Sequence, residues 1–209
     1  MPSIYEMFIW LPGIIIGLTF HEFAHGKVAD YLGDDTPYYQ GRLTLNPLAH
    51  IDWIGFAMLM IFHFGWAKPV MVNPANFRNV GVKRGMMLVS LAGPVTNILL
   101  ALAGMILIKY LSPYQQAQWA YYTLQLLGPL VWINLILAAF NMIPVPPLDG
   151  SKILAGLLPD EGANFMYSLE RYSMLILLLL IVSGAISVIL TPLVQILYGL
   201  LSAIVILSF

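Results

Sequence analysis

The sequence predicts an all-α polytopic membrane protein. Five to six transmembrane helices are expected, joined by short membrane-associated loops that resemble β-hairpins. Two observations carry this. Charged residues make up 9% of the chain and hydrophobic ones 60%, with a mean hydropathy of +0.84. A soluble domain carries about 25% charged residues, so this chain lacks the polar surface to face water. The apolar residues are also gathered into five long runs and one short one, with brief polar stretches between them. The net charge of -1 gives no bulk attraction to nucleic acid. The absence of cysteine excludes a disulfide framework, thiolate chemistry and a Cys-based metal site.

The first run covers residues 4–32 and is uncharged from Met7 to Phe20, with Pro12 marking a kink. It opens with Glu6 and no Lys or Arg, and no A-x-A pattern follows it. It therefore reads as a retained helix rather than a cleaved signal. Residues 33–52 alternate weakly through Arg42, Leu43, Thr44 and Leu45 and are rich in Gly, Pro and Asn, as a β-hairpin would be. The short run, 51–67, holds Asp52 and His63 and either spans or dips back. Residues 68–73 include the strand-like piece PVMV. Long runs follow at 86–109, 119–143, 172–190 and 193–207. Most reach the roughly 20 residues a crossing needs, and the last is marginal. Residues 144–150 are too Pro-rich for regular helix, and 159–171 form a polar connector. No internal repeat and no low-complexity tract interrupts this pattern.

The first run ends in HEFAH, residues 21–25. On a helix, His21 and His25 lie one turn apart, offset by about 40° and about 6 Å in rise. Both imidazoles can reach one metal ion. Glu22 projects beside them, placed to take a proton from a metal-bound water. This H-E-x-x-H spacing binds Zn²⁺ with the Glu as general base. The plainer reading makes the histidines packing residues and Glu22 an interfacial charge. Ionisable groups inside a membrane segment cost roughly 2.5–3.5 kcal/mol each on insertion scales, so three together call for a common partner. A metal supplies one.

A catalytic zinc takes three protein ligands and a water. His50 and His63 read as structural. Asp149 stands out in FNMIPVPPLDG, where Pro144, Pro146, Pro147 and Gly150 break the helix. Irregular backbone at membrane depth is tolerated only when buried in protein or lining a cavity. Asp149 thus reads as an acid facing the interior, and a helix-terminal aspartate in water remains the alternative.

HEFAH, the GPVTN stretch at 93–97 and NMIPVPPLDG at 141–150 resemble the site-2 protease family of intramembrane zinc metalloproteases. NPLAH at 46–50 and GWAKPV at 65–70 resemble its compact bacterial and archaeal branch, which lacks PDZ and CBS domains. The resemblance implies one Zn²⁺ per chain held by His21, His25 and Asp149, with Glu22 as base. It implies Asn141 as an oxyanion-stabilising group and Asn97 as a site-lining or helix-packing amide. It also implies a single membrane metalloprotease domain over residues 1–209, with a catalytic core at about 4–155 and accessory helices at about 172–209. Its substrates would be membrane proteins with a transmembrane segment, cut within the lipid bilayer. Such a segment must unwind before cleavage, and its freed backbone needs partners. The pieces at 42–45 and 70–72 would supply them by strand addition, or would only plug the chamber. A metal transporter using the same His and Asp groups is the alternative function. Transporters often carry paired broken helices in two related halves, whereas this chain has one broken segment.

One ion touching His21, His25 and Asp149 requires the first and third long runs to end on the same side. Residues 51–67 are then expected to dip in and return. Lys27, Arg42, Lys68, Arg78, Lys83 and Arg84 gather on that side, against Lys109 on the other. The positive-inside rule makes the crowded side, with the site, cytoplasmic.

Overall fold

The computed structural model describes residues 4–62 and 65–207. The order is α1 (Ile4–Tyr31), α2 (Thr36–Tyr39), α3 (Trp53–Phe62), α4 (Val82–Leu111), α5 (Gln118–Asn141), α6 (Asp149–Leu157), α7 (Asp160–Leu169), α8 (Ser173–Val182) and α9 (Ala185–Leu207). Among the described residues, five stretches are long and apolar enough to cross a membrane: Phe8–Tyr31, Val82–Tyr114, Gln118–Asn141, Asp160–Val182 and Ala185–Leu207. The fourth joins α7 and α8 through a 3-10 turn at Glu170–Tyr172. His63 lies outside the described residues.

Helices α1, α4 and α5 form the central bundle. Gly13 backs onto Leu130, and Gly17 onto Asn134 and Leu137, so α1 and α5 run parallel. His25 meets Val89 while His21 meets Asn97, so α4 runs against α1. Small residues let these backbones approach, as helix pairs in lipid require. The apolar core of Ala101, Val131, Leu135 and Ala139 closes on Val194 and Leu201 of α9.

It follows that α1 ends, and α4 begins, at the same end of the bundle. The chain between them does not cross. Its helix α3 has 10 residues, about 15 Å at 1.5 Å per residue, half of a hydrocarbon core. An isolated bridge between Ile51 and Ala67 closes the dip, and the Lys68 amide donates to His50 O at 2.9 Å.

The expected β-hairpins do not form. Among the described residues there is no sheet, and 33–52 folds as turns around α2 and a 3-10 turn at Pro47–Ala49. Prolines explain this. Pro37, Pro47 and Pro74 each open a short helical turn, where their missing N–H is no loss. Asn46 and Asn73 accept the Leu48 and Ala75 amides at 3.1 and 3.2 Å, an Asx arrangement that competes with strand pairing. The last apolar pair also breaks elsewhere than expected. The turn is Ser183–Gly184, with Gly184 at φ 74, and Pro192 lies inside α9. Glycine adopts that conformation most readily. The polar connector at 159–171 is largely helical, as α7 with Asp160 and Glu161 in its first turn.

Candidate active site

His21 and His25 stand one turn apart on α1, and Asp149 is the first residue of α6. The Pro-rich break after α5 turns the chain so that α6 points its N-terminus into the bundle. That end favours an anionic side chain. His21 Nε2 and His25 Nε2 each lie 3.2 Å from Asp149 Oδ2, and 2.9 Å from each other. All three residues offer one ligand atom to a common point.

The other ring nitrogens fix the tautomers. His21 Nδ1 donates to Asn97 Oδ1 at 2.7 Å, and His25 Nδ1 donates to the Val89 carbonyl at 2.7 Å. A carbonyl accepts only, and Asn97 is oriented by its own donors. Its Nδ2 gives to Gly17 O at 3.1 Å and to Asn134 Oδ1 at 2.8 Å. Asn134 in turn donates to Leu130 O at 2.8 Å. Both Nε2 atoms are therefore bare lone pairs, the tautomer that binds metal. Asp149 Oδ2 is buried without a hydrogen-bond donor among the described residues. Three acceptors facing one another within 3.2 Å need a cation, so the donor set fits a divalent metal.

Gly93 makes room for this cluster. A Cβ there would lie 2.5 Å from both His21 Cε1 and His25 Nε2. The GPVTN stretch thus contributes a close approach at Gly93 and an orienting amide at Asn97.

Glu22 lies outside the acceptor triangle. Its Oε2 accepts the Val70 amide at 2.9 Å. Both line a cavity of about 370 Å³, with His21, His25, Asp149 and Asn141. Asn141 is thus brought to the site, with its Nδ2 donating to Leu137 O at 3.0 Å on its own helix. His50 is elsewhere. It is buried beside the re-entrant segment, with Nε2 donating to Thr44 O at 2.8 Å.

Sequence reasoning missed two groups. Lys152 lines the cavity one turn beyond Asp149 and has no partner among the described residues. Asn134 carries the amide relay. Spacing held the signal for both, at i+3 from Asp149 and i−7 from Asn141.

A sequence profile of Peptidase family M50 matches residues 103–184, which include Asn141 and Asp149 but not HEFAH. The chain is 38% identical over 185 residues to the "Putative zinc metalloprotease YwhC" of Bacillus subtilis, covering 87% of this chain and 84% of the relative. The chain belongs to peptidase family M50. A relative in Methanocaldococcus jannaschii, "Putative zinc metalloprotease MJ0611", is 31% identical over 73% of this chain and 72% of its own length. The "Putative zinc metalloprotease Rip2" of Mycolicibacterium smegmatis is 29% identical over 85% of this chain and 68% of its own. No solved structure is significantly similar to this M50 chain.

Proposed function

We propose that this chain is an intramembrane zinc endopeptidase that hydrolyses peptide bonds in or next to transmembrane segments of membrane proteins. The observation that carries the reading is the convergence of His21 Nε2, His25 Nε2 and Asp149 Oδ2, with Glu22 beside them but outside the triangle. These three residues are the metal ligands. When bound, zinc supplies Lewis acidity, lowering the pKa of water to about 7 and polarising a carbonyl.

The chain's own groups do the rest. Asn97 and the Val89 carbonyl hold the two imidazoles in register. Glu22 accepts the proton of the attacking water and returns it to the leaving amine. Val70 holds one oxygen of Glu22 and leaves the other to exchange protons. Asn141 has a second amide hydrogen to offer the developing oxyanion. Lys152 adds positive charge on the same wall. A metal-transport reading uses the same ligands but gives Glu22 no task. With the basic residues gathered at the α1 exit, we place the site nearer the cytoplasmic face.

The test compares membrane-protein fragments in cells carrying wild-type or Glu22→Gln protein, with zinc measured on both purified chains. Fragments that vanish in the variant while zinc remains support the reading. Identical fragment patterns defeat it.

A further inference from the structure

Residues 68–73 form an extended strap over one wall of the active-site cavity, yet among the described residues they pair with no strand. Their polar contacts run to groups on other segments. At the start of the strap, the Lys68 amide donates to His50 O at 2.9 Å, and Lys68 O accepts Arg42 Nη1 at 3.3 Å. In the middle, the Val70 and Met71 amides donate to Glu22 Oε2 at 2.9 Å and Gln40 Oε1 at 3.3 Å. At its end, the Asn73 amide donates to Asp34 Oδ2 at 2.7 Å.

Two of these partners are unusual. Asp34 is fully buried, and Arg42 is 5% exposed. Neither forms an ion pair among the described residues. Asp34 accepts four donors: the Asn73 amide, Asn76 Nδ2 at 2.8 Å, and the amide and hydroxyl of Thr36 at 3.1 and 2.5 Å. Arg42 donates to two carbonyls, those of Ala49 and Lys68. A buried charge is costly unless hydrogen bonds satisfy it. Here Arg42 is satisfied by backbone carbonyls, and Asp34 by two backbone amides and two side chains, of which the Asn73 amide belongs to the strap.

We infer that Asp34 and Arg42 are positioning residues of the active site, clamping the two ends of the 68–73 strap and so setting where it lies against Glu22 and the cavity. The inference rests on the proteolytic reading for its consequence. The strap walls the space beside Glu22, so an unwound substrate peptide must lie along it. Asp34 follows α1 by three residues, so the clamp ties the strap to the helix that carries His21, Glu22 and His25. Loosening either end lets the wall drift while the metal ligands stay in place, because His21, His25 and Asp149 belong to other elements.

Two measurements test this on the full chain in lipid nanodiscs. Kinetics use a quenched-fluorescence peptide carrying an apolar segment. Amide exchange is followed at residues 70–73. For Asp34→Ala and Arg42→Lys we expect zinc near one per chain and exchange at 70–73 faster by about tenfold or more. KM should rise by about tenfold, with kcat changed less, which is the loss of roughly one charge-assisted hydrogen bond. Asn76→Ala, at an exposed position, should shift both in the same direction by about two- to threefold, the loss of one neutral partner of Asp34. Unchanged KM and unchanged exchange at 70–73 overturn the clamp. So does exchange rising equally in α1, α4 and α5, which would make these residues general stabilisers. If wild type cleaves no peptide but strap exchange responds as expected, the proteolytic reading fails and the clamp stands.

Discussion

Two aspartates at the same end of the bundle meet opposite surroundings. Asp34 sits in a nest of donors, with four hydrogen bonds and no exposure. Asp149 has Oδ2 buried among acceptors, 3.2 Å from each of two imidazole lone pairs. The first is complete as protein. The second is complete only with a cation. The difference separates a carboxylate that protein donors satisfy from one whose surroundings fit a metal ion, although both lie beside α1.

The sharpest way to break this comparison is to remove each acid. Asp149→Ala should lose zinc and cleavage together, by more than the roughly 100-fold at the upper end for outer-shell changes. Asp34→Ala and His50→Ala should keep zinc near one per chain by elemental analysis. Zinc retained in Asp149→Ala but lost in His50→Ala would reverse the assignment. Glu22→Gln comes next. It removes the proton acceptor while preserving shape, and turnover should fall by at least about 100-fold with zinc retained. Loss of zinc there would move Glu22 into the ligand set.

Asn97 sharpens the comparison from the acceptor side, because it fixes the tautomer of His21. Asn97→Ala should weaken zinc by roughly 10–100-fold in a chelator competition, as outer-shell changes do. Affinity unchanged from wild type would reduce Asn97 to helix packing. Lys152→Met should lower kcat/KM by about tenfold at constant zinc, the weight of one charge-assisted hydrogen bond. Equal kcat/KM would leave Lys152 a solvated charge.

The smallest effect is the acid limb of stability. Burial pushes Asp34 up, but hydrogen bonds from Thr36, Asn76 and Asn73 outweigh it, and its carboxyl titrates below the ordinary value. A lowered carboxyl pKa stabilises above the unfolded value near pH 4, and that stability is lost as pH falls through the folded value. The stability gap between wild type and Asp34→Asn should therefore be full at neutral pH and shrink below about pH 4 in acid denaturation. A gap independent of pH would remove the charge from the argument.

The amino-acid sequence alone determined what depends on neighbours along the chain. The long apolar runs predict the membrane helices, since each must satisfy its own backbone within lipid. The i, i+4 spacing of His21 and His25 already places two imidazoles on one face. The prolines at 144–147 end α5 before Asp149. Local signals were also misread. The Asn–Pro pairs at 46–47 and 73–74 specify 3-10 turns rather than hairpins, and Gly184, not Pro192, marks the break between the last two helices.

Tertiary structure decided what depends on distant partners. Asp149 meets His21 across 128 positions of chain, and Asn97 meets it across 76. Asp34 finds Asn73 and Asn76 across 39 and 42. No periodicity records such pairings, because they follow from how α1, α4 and α5 pack and from where the strap returns. The residue type at Asp34 and Asp149 is the same. Only the fold determines whether donors or lone pairs surround the carboxylate, and with that whether its surroundings are complete as protein or fit a metal ion.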